Sequence, residues 1–448
     1  MLSREDNELI CRTGPGTPMG TFMRQYWIPA MLSSEVPAPD SDPVRVLLLG
    51  EKLIAFRDTN GQVGLIQNHC PHRGASLFFG RNEEAGLRCV YHGWKFAIDG
   101  TCVDMPNEPA ESDFKHKVTA VAYPTRERGG LVWAYMGPLL TPPPLPDLEA
   151  NMVEGAETYA IQHDHNWLQV LEGTIDTVHA AFLHAGSVRA EDQPPGTFAE
   201  WELRQRAVSF EGVDTPIGAC YAARRNATPG YAYWRIAQFL MPFYGMSPAS
   251  GGLLGAGPSA LTACVPIDDE HTLYVKFAAV GGGPNRPSRP GRTQTGGWKL
   301  LPNTTDWHGR FLSEANAEND YGLDRELQRR NSGVEGYSGI PGVRQQDRAI
   351  TSSMGPIYDR TQEHLGTTDS LIIRTRRRLI DAAKAFVQTG NPPPGALSPE
   401  LFRVRSGQVV LPVDVNWVDA TEEKRKAFTE HTGLDWSLTR SGRTATAG

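Results

Sequence analysis

Between Asn68 and Phe96 the chain reads NHCPHRGASLFFGRNEEAGLRCVYHGWKF; Cys70-x-His72 is followed, after sixteen residues, by Cys89-x-x-His92. Two cysteines and two histidines in close pairs have one strong physical use, which is to surround a metal. These donors suit zinc, or an iron–sulfur cluster in which imidazole replaces thiolate on one iron. Zinc pairs usually keep two or more residues between ligands, whereas Pro71 alone separates the first pair here. A glycine follows each pair, at Gly74 and Gly93, where a tight ligand loop needs positive φ or close backbone approach. Whatever the chain folds into must hold two ligand loops side by side.

With 448 residues there is material for two or three domains and a large core. A net charge of −7 gives no basic footprint, which argues against a nucleic-acid partner. No run of about 18 apolar residues is present, so no membrane span is expected. The start, MLSREDNELI, lacks the apolar core of a signal peptide. Cys11, Cys102, Cys220 and Cys264 are scattered, so free thiols in a reduced, cytoplasmic protein are expected.

The pattern from Val44 is β-rich, with Asn60-Gly61 read as a type I′ hairpin turn and Asp99-Gly100 as a second turn. GGLVWAYMG at 129–137 reads as a closing strand, and TPPPLPD at 141–147 as a stiff connector. The fold expected is α+β: a small antiparallel β domain in residues 1–147, then a larger domain over 148–448 with an antiparallel sheet covered by helices. Segment 166–186 has helical character, 201–280 holds strands, 281–297 is low-complexity, and 308–332 is helix-compatible. The clearest helix is 369–390, with Asp369 as its cap and Gly390 closing it. Its Arg374, Arg376, Arg377 and Arg378 read as a solvated or salt-bridged face rather than a docking patch.

Asp176-x-x-His179-x-x-x-x-His184 falls in the first helical segment. On an ideal helix the two histidines would lie about 140° apart and could not share a metal. A π-turn, or a helix ending between them, would bring them together. With a separate cluster that passes single electrons, a His/His/carboxylate facial triad is the usual non-haem Fe(II) site for O2 activation.

The chain resembles the Rieske non-haem iron oxygenases, most of all the oxygenase (alpha) subunits of the phthalate dioxygenase class. The pieces that carry this are CPHRGA, CVYHGWKF, NWLQVLEGTIDTVHAAFLH, VPIDDEHT and QQDRAITSSMGPIYDRTQEHLG. The resemblance implies a [2Fe–2S] Rieske cluster, with Cys70 and Cys89 on one iron and His72 and His92 on the other. It implies mononuclear Fe(II) held by His179, His184 and a distant carboxylate, Asp347, with Asp359 as the alternative; spacing alone selects neither. Asp176 would hydrogen-bond His179 and a cluster histidine, His92, of a neighbouring subunit. Asn166 and Trp167 match family positions near the site and read equally well as a helix cap and core packing.

The function implied is hydroxylation of a phthalate-like aromatic carboxylate with O2 and NADH-derived electrons. The electrons would come from a separate flavin and iron–sulfur reductase or a ferredoxin, because no Rossmann glycine pattern is present. O-demethylation of a methoxylated aromatic acid, and a non-catalytic Rieske electron carrier, are the other readings. Arg206, Arg225, Arg235 and Phe243 are candidates to line the substrate site, arginine being suited to a bidentate grip on carboxylate. A homotrimer, or a hexamer of stacked trimers, is the expected assembly.

Overall fold

A computed structural model describes residues 2–112, 114–248, 252–278 and 298–429. The low-complexity stretch 281–297 and the C-terminal tail lie outside them. Helices α1 (Arg4–Cys11) and α2 (Pro18–Met23) start on Ser3 and Thr17, whose side chains accept from the first-turn amides. There follow β1 (Trp27–Leu32), β2 (Val44–Leu48), β3 (Glu51–Arg57), β4 (Val63–Gln67), β5 (Arg81–Glu83), β6 (Gly86–Arg88), β7 (Lys95–Phe96), β8 (Cys102–Asp104), β9 (Thr125–Arg128) and β10 (Leu131–Tyr135). They form three antiparallel sheets, ordered β1-β10-β9, β2-β3-β4 and β5-β6-β7-β8. Ile54, Phe56, Ile66, Leu77, Leu87 and Phe96 point into a common core with Cys70 and Cys89.

The hairpin chemistry departs from the sequence reading at one turn. Between β3 and β4 the loop covers residues 58–62; Gly61 is left-handed there but Asn60 is not, so no I′ turn forms. Asp58 closes that loop by accepting from the Gln62 amide at 2.8 Å. Two-residue turns with both residues left-handed are Leu49-Gly50, between β2 and β3 (φ 47° and 76°), and Glu84-Ala85, between β5 and β6 (φ 50° and 58°). Asp99-Gly100 turns as expected, and a side chain at Gly100 would collide with the Ala120 carbonyl.

The connector at 141–147 is anchored: Trp27 donates to the Pro143 carbonyl at 2.6 Å, and Arg128 to that of Pro146. After it come α3 (Glu149–Met152), β11 (Glu157–His163), α4 (Trp167–Ile175), α5 (Phe198–Arg204), β12 (Ser209–Thr215), β13 (Gly218–Asn226), β14 (Tyr231–Leu240), β15 (Tyr244–Met246), β16 (Leu261–Pro266) and β17 (Thr272–Ala278). The chain ends through α6 (Arg325–Arg330), α7 (Val343–Ser352), α8 (Ser370–Thr389), β18 (Gly407–Pro412) and α9 (Trp417–Thr421). One antiparallel sheet runs β11-β17-β16-β15-β14-β13-β12, with β18 added to β14. Helices α4 and α8 pack on it.

Two expected helices are shorter. The 166–186 segment is helical to Ile175 and then breaks, and 308–332 holds α6 and a short 3₁₀ turn instead of one helix. Helix α8 keeps its expected span, closed by left-handed Gly390. Asp369 holds the N-cap position of α8 as expected, but without a side-chain bond to its amides: its carboxylate accepts from the Gly366 amide. Arg376 is buried, not solvated, and pairs with Glu172 and Glu363; Arg374 pairs with Asp214 at 2.9 Å. No described helix is long and apolar enough to cross a membrane.

Candidate metal centres

Helix α4 presents the second site, and every turn of it is fixed. Asn166 caps it by accepting from the Leu168 amide (3.1 Å) and donates to the carbonyls of Cys11 and Asp269 (2.9 and 2.7 Å). Trp167 is fully buried and donates to the Ile10 carbonyl; truncating such a side chain costs roughly 3–5 kcal/mol. Both residues do the capping and packing work that the sequence allowed. Glu172, in mid-helix, is clamped by Arg360 (3.1 Å) and Arg376 (2.5 Å). At the C-terminus the carbonyls of Thr174 and Ile175 accept from Ser247 and Tyr221, satisfying groups that a helix end leaves open.

The helix stops because Asp176 takes an extended conformation and caps the next turn. Its two oxygens accept from the amides of Val178 (2.9 Å) and His179 (3.3 Å). A 3₁₀ turn, His179–Ala181, follows. The break lies before both histidines, not between them, and it turns them toward each other. His179 Nε2 and His184 Nε2 are 3.2 Å apart, and Asp347 Oδ1 on α7 lies 3.3 and 3.0 Å from them. The second nitrogen of each ring is taken: His179 Nδ1 donates to Asp176 Oδ2 (2.9 Å), and His184 Nδ1 donates to Gln346 Oε1 (2.7 Å). These bonds fix the tautomers that leave both Nε2 lone pairs facing Asp347.

The electrostatics match. Burial opposes a charge on His179, but Asp176 and Asp347 overcome it and push the imidazole up to about 10. Burial raises both carboxyls, yet their histidine hydrogen bonds hold them below the usual carboxylate range. The space among the three donors favours positive charge. Two imidazoles and one carboxylate converging there fit a divalent iron. Asp359, by contrast, uses its carboxylate on Thr361. Gln346 was not singled out in the sequence; its signal there was a fully buried amide beside Asp347, which only the fold exposes.

The Cys/His loops repeat one geometry. Cys70 N donates to the Ala75 carbonyl and Gly74 N to that of Cys70; Cys89 N donates to Trp94 and Gly93 N to Cys89, all at 2.8–2.9 Å. Gly74 and Gly93 are left-handed, at φ 76° and 79°. The rings of His72 and His92 lie 4.5 Å apart, and His72 stacks on Trp94 at 4.3 Å. His92 Nδ1 is buried with no hydrogen-bond partner among the described residues. Burial pushes the Cys70 thiol up to about 11, so a thiolate there needs a metal to neutralise it. Paired thiols on one side, paired imidazoles on the other and an orphaned Nδ1 fit a [2Fe–2S] cluster of mixed ligation.

The four substrate candidates do not share one place. Arg206 donates to the carbonyls of Gly186 and Val188. Phe243 is fully buried in the main core beside Tyr244. Arg235 donates to Thr177 Oγ1 at 2.6 Å, and Arg225 is buried: its Nε donates to the Gln205 carbonyl, and its terminal nitrogens, without a hydrogen-bond partner among the described residues, face Glu202 at 3.9 Å. A second donor cluster, Asp268, His271 and His308, stands elsewhere: Asp268 accepts from His271 Nδ1 (2.9 Å) and His308 Nε2 (2.8 Å).

Residues 26–122 match the family described as Rieske [2Fe-2S] domain, and residues 134–439 the family described as LigXa C-terminal domain like. The chain is 44% identical over 434 residues to the 3-chlorobenzoate-3,4-dioxygenase oxygenase subunit of Comamonas testosteroni, covering 95% of this chain and 99% of that one. It is 38% identical to the phthalate 4,5-dioxygenase oxygenase subunit of Pseudomonas putida (94% of each chain). It is 43% identical to the 5,5'-dehydrodivanillate O-demethylase oxygenase subunit of Sphingobium sp. (85% and 80%). Among solved structures, dicamba monooxygenase bound to dicamba shares the fold, with a TM-score of 0.53 at 16% identity over 82% of this chain and 99% of that one.

Proposed function

The chain belongs to the Rieske non-haem iron oxygenases, as an oxygenase (alpha) subunit, and on that premise we propose that it hydroxylates an aromatic carboxylate. Its cofactors are the Rieske [2Fe–2S] cluster and a mononuclear iron, and it works with a separate reductase or ferredoxin. In this reading residues 1–147 store the incoming electron and 148–448 carry out the oxygenation. The observation that carries it is the meeting of His179 Nε2, His184 Nε2 and Asp347 Oδ1 within 3.3 Å in a chain that also has the cluster loops.

Cys70 and Cys89 would hold one cluster iron, and His72 and His92 the other. His179, His184 and Asp347 would hold the mononuclear iron. When bound, these groups supply single-electron storage and O2 activation. The chain's own residues keep the donors in place. Asp176 and Gln346 take the Nδ1 protons, so that neither imidazole turns or binds through the wrong nitrogen. Asp176 is also the proposed link to His92 of a neighbouring subunit. Of the sequence candidates, Arg225 and Arg235 are retained as polar groups, and Arg206 and Phe243 are given structural parts, on the 186–188 carbonyls and in the main core.

An aromatic acid is favoured because 3-chlorobenzoate and phthalate, named for two relatives of similar length, are both benzene carboxylates. O-demethylation of a methoxylated acid is the second reading, supported by the 43% identical demethylase subunit. The test is NADH-driven turnover with a partner reductase and a panel of aryl carboxylates, aryl ethers and neutral arenes, followed by mass spectrometry. Uptake of two oxygens and two hydrogens by an acid is expected. Methyl loss alone would give the demethylase reading, and oxidation of neutral arenes alone would sink both. Iron and acid-labile sulfide should come to about three irons per chain, two with the cluster; two would indicate an electron carrier.

A further inference from the structure

One face of the large sheet carries a cation, Lys276, and α7 lays a second, Arg344, over it; no part of this mechanism uses either. Residues directly opposite in antiparallel strands share a face. Tyr159 on β11 lies opposite Lys276 on β17, and Lys276 lies opposite Thr262 on β16. Lys276 donates to Thr262 Oγ1 at 3.0 Å, and Thr262 donates to the Tyr274 hydroxyl. From the other side Arg344 reaches over this face, its guanidinium 5.1 Å from the centre of the Tyr159 ring. Arg344 and Asp347 stand three residues apart on α7, on the same side of the helix and one turn, about 5.4 Å, from each other. Tyr274 feels the charge of both. Arg344 therefore stands one turn from the mononuclear donor set, and Lys276 stands beside Arg344 on the sheet side.

Lys276 is half-buried on this face. Among the described residues it has no ion pair, and its charged neighbour is Arg344, which repels it. Burial first, then that repulsion, bring the ammonium down to about 8. A half-buried ammonium with a hydroxyl for a partner and a like charge beside it is unfavourable unless an anion joins it.

We propose that Lys276 and Arg344 form the anion subsite that holds the carboxylate of the aromatic substrate, presenting its ring to the His179–His184–Asp347 donor set. This rests on the aromatic-acid reading above and adds the group that selects for charge. Lys276 supplies a point charge at the sheet, Arg344 a fork from the helix, and the Tyr159 and Tyr274 rings flank the space between them.

The test uses the full-length, iron-replete protein, with 3-chlorobenzoate and phthalate as probes and their primary amides as neutral counterparts. Binding is measured by calorimetry, and kcat/KM with the reductase. Lys276→Met should lower affinity and kcat/KM for the acids by about 10- to 100-fold, the range for a hydrogen bond to a charged group. It should change the amides by less than about threefold, because they lack the charge. Lys276→Arg should restore much of the preference. Arg344→Met gives the same acid-specific loss from the helix side, if Lys276→Met proves too unstable to purify. A structural role for either residue would lower acid and amide alike and overturn the subsite. Unchanged acid binding in Lys276→Met would overturn it too, as would an acid-specific loss in Arg225→Met or Arg235→Met but not in Lys276→Met. If the wild-type protein binds neither acid, the substrate reading fails together with the subsite. If it oxidises both acids and Lys276→Met is unaffected, the subsite alone fails.

Discussion

Asp176 is a half-buried carboxylate that stays ionised because three donors point at it, two backbone amides and His179 Nδ1. It thereby closes α4, starts the next turn and orients an imidazole, all from one side chain. Asp176→Asn keeps the shape and one acceptor but removes the charge. Both irons are expected to remain, and the reductase should still reduce the cluster. Reoxidation of the reduced cluster with substrate and O2 should slow by about 10- to 100-fold, the usual effect of losing a carboxylate behind a ligand histidine. Single-turnover stopped-flow at the cluster absorbance measures it; near-normal reoxidation in iron-replete protein would refute the linking role. At this scale the cluster loops were readable from sequence because their donors are local, two short pairs at fixed spacing. His179 and His184 were readable as a pair, but helical geometry kept them apart until the cap made by Asp176 was seen. Asp347 came from resemblance alone, since no local pattern ties a carboxylate to ligands more than 160 residues away. Lys276 carries no such signal in β17, because which residues of a strand face the site depends on register, and one step reverses it.

At the level of elements, the loop between β16 and β17 is where three parts of the chain meet. The β2–β3 turn donates to it from Leu49 and Gly50, to the Pro266 and Ile267 carbonyls (3.1 and 2.8 Å). The segment after α1 reaches it through Thr13 N and Arg12, on Asp269. The cap of α4 touches it through Asn166. Asp268 holds the loop by gathering His271 and His308, whose rings stack at 4.1 Å. Burial would raise Asp268, but its two histidine bonds hold it far below the ordinary range; burial would lower His271, but Asp268 raises it. The contribution of Asp268 is therefore present above its unfolded value, about 3.9, and lost as pH falls through the lower folded one. That of His271 is full below about 6.5 and lost as pH rises through its raised folded value. Between these limits Asp268→Asn should cost about 1–2 kcal/mol, discounted because the group is partly solvated. Calorimetric melting should show a gap from wild type that is widest near pH 5–6 and narrows toward pH 9. A gap that widens with pH would show that the histidines are not the reason. The sequence showed VPIDDEHT as a motif but not its purpose, which depends on His308 arriving from another segment.

For the molecule as a whole, the route of the electron decides whether one chain is enough. Among the described residues, the hydrogen bonds of Cys70–Gly74 and Cys89–Trp94 stay within residues 69–107, and none reaches the donor set around Asp347. The histidine side of these loops faces outward: Val90 and Tyr91 are 58% and 55% exposed, and Arg73 lies over the Tyr91 ring. Exposed apolar groups around a redox centre suit a surface that meets another protein. We expect a cyclic trimer in which His92 of one subunit faces Asp176 of the next. Two inactive variants can test this together. Cys89→Ala removes a cluster ligand and leaves the mononuclear donors; His184→Ala removes a mononuclear ligand and leaves the cluster. Neither chain alone has both centres. Co-expressed with different tags and isolated as mixed trimers, they should recover activity, because a cluster in the His184→Ala chain can serve the iron in a neighbouring Cys89→Ala chain. In a head-to-tail ring each mixed trimer, whether 2:1 or 1:2, has one interface of three in the productive order, so about a third of wild-type turnover is expected. Light scattering should give a trimer, or a multiple of it, for each variant alone. If mixed oligomers form and stay inactive while each retains its remaining centre by iron analysis, the electron passes within one chain.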